Sequence, residues 1–182
     1  MAVRHISLSS IQHHRLYESC VHDLMQHEDV RSMDGHIHHN RVTCLEHCLS
    51  VSFMSYLACY RLGLDYRAAA RGGLLHDLYL YDWHHTKPME GLHGFTHPGI
   101  ALRNANLRFL LNEREQDIII KHMWPMTLRL PRHRESYIVC LVDKYCAFLE
   151  VFHDRRKRNL ERFKKFCQAA SIVKPCIPPI SI

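Results

Sequence analysis

The stretch AAARGGLLHDLYLYDWH, residues 68–84, sets an imidazole and a carboxylate side by side in apolar surroundings. Leu74 and Leu75 lead into His76-Asp77, and Leu78, Tyr79 and Leu80 follow. Apolar residues on both sides place the pair inside a buried helix and not at its end. Burying an ionisable pair is costly unless something compensates it, and a metal ion is one of the few groups that can. Taken alone, such a pair is more often a satisfied core histidine beside a capping or surface aspartate, because short motifs match by chance. Gly72-Gly73 weakens the helix by about 1 kcal/mol per glycine relative to alanine. Small residues there let another helix or a ligand approach closely.

Working outward, Asp65 caps this helix, and the helix before it opens on a Thr43-x-x-Glu46 capping box. That helix carries His47 in its first turn and apolar residues at 45, 49, 53, 54 and 57, and ends at Gly63 in the C′ role. Upstream, Ile11, Leu16, Tyr17, Cys20, Val21, Leu24 and Met25 recur at near-helical spacing. Residues 32–42, with His36, His38 and His39, read as a loop. Downstream, residues 82–96 are polar, irregular and loop-like, with His84, His85 and His93. Thr96 reads as an N-cap and Pro98 as a first-turn residue, with His97 between them. Asn112 and Glu115 form the next cap, opening a helix that stops at Trp124 before Pro125 and holds His122 in its last turn. After a Pro-bounded loop, residues 134–152 form a long helix in which Tyr137, Ile138, Cys140, Leu141 and Val142 surround Asp143. Asp154 caps a last helix, and residues 172–182 are too Pro-rich to continue one. No confident strand is legible, so the fold is predicted to be all-α.

Seventeen of the 182 residues are histidine, the commonest metal ligand and the usual proton carrier near neutral pH. The net charge of +6 resides in one place: residues 1–150 carry sixteen basic and sixteen acidic residues, residues 151–182 eight and two. The basic excess therefore belongs to a terminal segment and not to the body. Eight cysteines, none in a CxxC pair, read as reduced core residues. With no apolar stretch long enough to span a membrane and no apolar leader, the expected location is cytoplasmic.

His47, His76-Asp77, His97, His122 and Asp143 fall on, or at the mouths of, five successive predicted helices. Helical bundles build metal sites this way, from inward side chains of facing helices. Four histidines and two aspartates suit two borderline divalent metals and argue against calcium or an iron–sulfur cluster.

The order His, His-Asp, His, His, Asp, with the strings TCLEHCLSV, GGLLHDLYLYDWH, GFTHPGIAL, KHMWP and LVDKY, resembles the HD-domain superfamily of metal-dependent phosphohydrolases. The resemblance spans residues 38–150, with residues 1–37 as a helical extension and 151–182 as a basic helix and Pro-rich tail. It implies an HD-domain helical bundle with its metal site among the core helices. His47, His76, Asp77 and Asp143 would hold one divalent transition metal (Fe, Mn, Zn, Co or Ni), and His97 and His122 a second, with Asp77 bridging. Met123 after His122 and the absence of a GYP string set the chain apart from the cyclic-dinucleotide branch. The implied activity is hydrolysis of a phosphate ester of a small molecule, a nucleotide or related metabolite, by a water bridging the two metals and acidified by them. Lys144 and Lys121 are the basic residues nearest the ligands, and His84, His85 or His93 would protonate a leaving group.

Two other classes fit the same residues. Some HD-fold proteins hold a di-iron centre and oxidise substrates with O₂. Alternatively, the basic final helix (Arg155, Arg156, Lys157, Arg158, Arg162, Lys164, Lys165) would make the chain a nucleic-acid or nucleotide-binding module with a structural metal. A solvated face covering the bundle is the preferred reading of that helix.

Overall fold

The computed structural model describes residues 10–39, 42–81 and 93–152, and of residues 37–39, 93, 151 and 152 the backbone alone. Among these the protein is all-α. Its helices are α1 (Ser10–Gln26), α2 (Glu28–Ser32), α3 (Cys44–Arg61), α4 (Tyr66–Leu75), α5 (His93–Arg108), α6 (Glu113–Lys121) and α7 (Arg134–Phe152). A 3₁₀ turn at Met33–Gly35 leads into a small antiparallel ribbon, β1 (Ile37–His39) with β2 (Val42–Thr43).

The predicted helix starts hold where a side chain caps them. Thr43 accepts from the Glu46 amide at 3.1 Å while Glu46 accepts from the Thr43 amide at 3.2 Å. Asn112 and Glu115 repeat the arrangement at 2.9 and 3.0 Å, and Asp65 accepts from the Ala68 amide at 2.9 Å. Each cap contributes about 1 kcal/mol. Gly63 closes α3 at a φ of 65°, left-handed backbone that glycine adopts without steric cost.

Helix α4 is the hub. It packs against α1, α3, α5, α6 and α7, and every residue from Ala68 to Tyr79 is buried. Its glycines permit this closeness. A Cβ at Gly72 would stand 2.8 Å from the Ile118 side chain of α6, and one at Gly73 would stand 3.0 Å from the Ser52 backbone of α3. Helices α6 and α3 occupy the space the glycines leave. Polar ties hold the hub in register. Arg71, 5% exposed, donates to Glu115 on α6 at 2.9 Å and to Asp23 on α1 at 2.6 Å. Tyr17 of α1 donates to Ser52, which donates to the Ala70 carbonyl. Asp117 joins α6 to the start of α7 by accepting from the Arg132 and His133 amides and the Ser136 hydroxyl.

Four expectations are corrected. Helix α6 ends at Lys121 and not at Trp124, so His122 caps it and does not lie in its last turn; residues 122–126 continue as a turn, with the Trp124 amide bonded to the Lys121 carbonyl. Helix α4 ends at Leu75, so His76-Asp77 lies just past a helix terminus and not inside a helix. Burial of Leu78 and Tyr79 continues the apolar run without continuing the helix, and periodicity does not separate a buried turn from a buried helix. Helix α5 begins at His93, so His97 is its fifth residue and Pro98 lies within it. Where residues 32–42 were expected to form a loop with no strand, Met33–Gly35 form the 3₁₀ turn and Ile37–His39 pairs with Val42–Thr43; strands of two or three residues are too short to show an alternation.

The six described cysteines (20, 44, 48, 59, 140 and 146) are free and buried, as expected of core thiols. No helix among the described residues is long and apolar enough to cross a membrane. Helix α1 shares the main core cluster through Tyr17, Cys20, Val21, Leu24 and Met25.

Candidate metal centre

All six predicted ligand residues meet at one place, each delivered by a different local device. His47 is the fourth residue of α3, fixed in rotation by the Thr43 capping box. His76 and His122 are the C-caps of α4 and α6. His97 lies in the second turn of α5 and Asp143 in the middle of α7. All six are buried, from 0% exposed for His47 and His76 to 9% for Asp143. Asp77 sits in a turn tied down by Asn104 of α5, which donates to the Leu78 carbonyl at 2.8 Å, and by the Cys44 thiol, which donates to the Asp77 carbonyl at 3.4 Å. Leu80, at a φ of 58°, then carries the chain out of this turn in a left-handed conformation unusual for leucine.

Asp143 Oδ1 lies 3.1 Å from His47 Nε2 and 3.6 Å from His76 Nε2. Asp77 Oδ2 lies 3.5 Å from His76 Nε2, and its Oδ1 lies 3.2 Å from His97 Nε2 and 3.5 Å from His122 Nε2. The Nε2 atoms of His97 and His122 are 2.8 Å apart. Two trios, His47–His76–Asp143 and His76–Asp77–His122, each keep their ligand atoms within 4.8 Å of one another. His76 belongs to both.

Ring orientation is set from outside the cluster. The Nδ1 of His76 is 2.8 Å from the Gly73 carbonyl, and that of His122 is 2.8 Å from the Ile119 carbonyl. A carbonyl only accepts, so Nδ1 carries the proton and Nε2 carries the lone pair. His47 also donates from Nδ1, to Glu150 Oε1 at 2.9 Å, while its Nε2 faces Asp143 Oδ1 at 3.1 Å. Three histidines thus turn Nε2 inward with the outer nitrogen bonded, the arrangement by which proteins fix metal-ligating imidazoles.

Electrostatics favour a cation at this point. The C-termini of α4 and α6 both end here, each equivalent to roughly half a negative charge. Burial pushes the His122 imidazole down to about 3, with His76 and His97 adding to the effect while Asp77 and Asp143 oppose it. Burial also opposes charge on His47, but its hydrogen bonds to Asp143 and Glu150 hold its pKa well above the usual value. Burial would raise the Asp143 carboxyl; contacts with His47 and His76 hold it well below the usual range instead. His76 Nε2 is fully buried without a hydrogen-bond partner. An orphaned buried nitrogen costs about 1–3 kcal/mol, and coordination removes that cost. Nitrogen and carboxylate donors in this ratio match first-row divalent metals, which bind such atoms at about 2.0–2.2 Å. Ligands on one ion at that range lie roughly 3 Å from each other, close to the spacings found here.

The remaining candidates separate. Lys144 borders the cluster, its Nζ donating to the His122 carbonyl at 2.9 Å and the Cys140 carbonyl at 3.3 Å, 3.9 Å from Asp143. Lys121 turns instead to Asp117, at 2.5 Å. His84 and His85 lie outside the described residues, as does the basic segment from residue 153 onward. His93 opens α5; its side chain lies outside the description. Sequence reasoning missed Glu150 and Asn104. Glu150 had a signal: it stands seven residues after Asp143, two turns along the same face, between Leu149 and Val151. Asn104 had none, because its partner is a backbone carbonyl far away in sequence.

No protein-family model, curated protein or solved structure matches the chain. The chemistry of the site therefore rests on its own geometry.

Proposed function

We propose that the chain is an HD-type metal-dependent phosphohydrolase that cleaves a phosphate ester of a small molecule, a nucleotide or related metabolite. The observation that carries this reading is the convergence of four buried Nε2 atoms and two carboxylates, with three of the imidazoles fixed at Nδ1 from outside. Divalent metals, when bound, supply Lewis acidity and a water whose pKa approaches neutrality. His47, His76 and Asp143 would hold one such ion, and His97 and His122 a second. Asp77 presents one oxygen toward His76 and the other toward His97 and His122, which suits it to a bridging role. Burial keeps bulk water from competing and strengthens electrostatic interactions with a phosphoryl group. Lys144 holds the end of α6 against α7 through the His122 carbonyl, and places a positive charge beside Asp143.

The test is a phosphatase and phosphodiesterase screen over nucleotides and related esters with Mn, Co, Ni, Fe and Mg, run beside Asp77→Ala. Metal-dependent phosphate release is expected from the wild type, and loss of metals and of all turnover from the variant. Turnover retained by Asp77→Ala refutes the site. A stoichiometric pair of irons with O₂ consumption and no phosphate release sinks the hydrolase reading in favour of an oxygenase.

A further inference from the structure

Histidines 76 and 122 take their outer hydrogen bonds from carbonyls three residues back, at the ends of their own helices. Those bonds are local and follow from ending a helix on histidine. His47 is different. Its Nδ1 donates to a carboxylate 103 residues away in sequence, in the last turn of α7. Glu150 is itself only 8% exposed. A carboxylate in that position is costly unless it is paired and hydrogen-bonded.

Asp143 and Glu150 lie seven residues apart on one face of α7, and they grip the two ring nitrogens of His47 at 3.1 and 2.9 Å. Glu150 Oε1 lies on the outer side of the ring, so in this contact it supplies no ligand atom to the centre. An anionic acceptor makes the opposite nitrogen a stronger electron donor than a neutral carbonyl does, and such partners typically tune metal affinity about 10–100-fold. The carboxylate acts on one half of the cluster, His47–His76–Asp143, while His122 in the other half is held by a neutral carbonyl.

We propose that Glu150 is a positioning residue: it fixes His47 with Nε2 inward and makes the His47–His76–Asp143 half the tighter of the two, the half that loads first. This rests on the reading of the cluster as a metal centre. The half of His97 and His122 is then the weaker and later-filled position.

The experiment is a Co²⁺ titration of full-length, chelator-stripped protein, followed by d–d absorption and by calorimetry. The proteins are the wild type, Glu150→Gln, Glu150→Ala and, as reference for the other half, His122→Gln. Glu150→Ala is expected to weaken the first, tighter step by about 10–100-fold. Glu150→Gln, which keeps an acceptor oxygen but no charge, falls between it and the wild type. The second step stays within about twofold in both. His122→Gln shows the reverse pattern. First-step affinity unchanged in both Glu150 variants overturns the proposal. An equal fall in both steps overturns it too, as does loss of the fold by Glu150→Gln, because each makes the carboxylate a structural requirement only. A wild type that takes up no Co²⁺ overturns the metal centre itself, a result distinct from these.

Discussion

Around Arg71, a buried guanidinium meets Glu115 at 2.9 Å, Asp23 at 2.6 Å and the Cys20 carbonyl at 3.2 Å. Around His76, four buried imidazoles face two carboxylates, two Nε2 atoms stand 2.8 Å apart, and the Nε2 of His76 has no hydrogen-bond partner. Both clusters lie on α4 or its immediate end, in the same core. In the first, opposite charges complete each other across three helices. In the second, the Nε2 of His76 is left without a donor or acceptor among nitrogens and carboxylate oxygens, and what would complete it is a cation. Buried charge by itself therefore does not mark a site; what marks this one is the chemistry of the groups facing inward.

The largest effect expected from breaking this contrast is on the completed side. Arg71→Met leaves Glu115 buried without its cation and should cost about 3–5 kcal/mol of stability. The urea midpoint measures it. A cost below 1 kcal/mol would mean that the Arg71 cluster is no more self-sufficient than the other. Co²⁺ uptake should survive in whatever fraction of this variant folds.

On the ligand side, the expected effect is one of pH. The folded chain resists a proton on His122, whose pKa is held at about 3, while the unfolded chain accepts it near the ordinary 6.5. Metal-free protein therefore loses stability as pH falls from 6.5 toward 3, by an amount of order a few kcal/mol. His47 works in the opposite sense. Its raised pKa gives stability that is complete below 6.5 and is lost as pH rises through that raised value. His122→Gln should give a flatter urea-midpoint curve between pH 6.5 and 4 than the wild type. Parallel curves would show that the inward imidazole carries no desolvation cost.

The smallest effect sharpens how packing serves the centre. Gly72→Ala adds a Cβ 2.8 Å from Ile118, close to where α6 delivers His122. Overpacking costs about 1–3 kcal/mol, and the gain in helix propensity of about 1 kcal/mol offsets part of it. A net loss of roughly 1 kcal/mol is expected from these two terms, with metal affinity several-fold weaker as α6 shifts. An unchanged affinity would uncouple the α4–α6 contact from the site.

How much of this was legible in the sequence depended on whether the cause was local. Thr43–Glu46, Asn112–Glu115 and Asp65 were readable because a cap and its amide are three residues apart. The six inward residues were readable because each falls in an apolar or helix-end setting and their order along the chain carried the family resemblance. The end of α4 at Leu75 was not, since Leu78 and Tyr79 stay buried beyond it. The bond between His47 and Glu150 joins residues that only the packing of α3 against α7 brings together.

If a divalent metal completes the cluster around His76, its binding must stabilise the fold. The decisive measurement is the unfolding midpoint of chelator-stripped protein with and without Co²⁺, beside Asp77→Ala. With Co²⁺ at about 100 times its dissociation constant, the wild type should gain about 2.7 kcal/mol, and Asp77→Ala should gain far less. A wild type whose midpoint does not move with Co²⁺, Mn²⁺, Zn²⁺ or Fe²⁺ would mean that the cluster is not a metal centre.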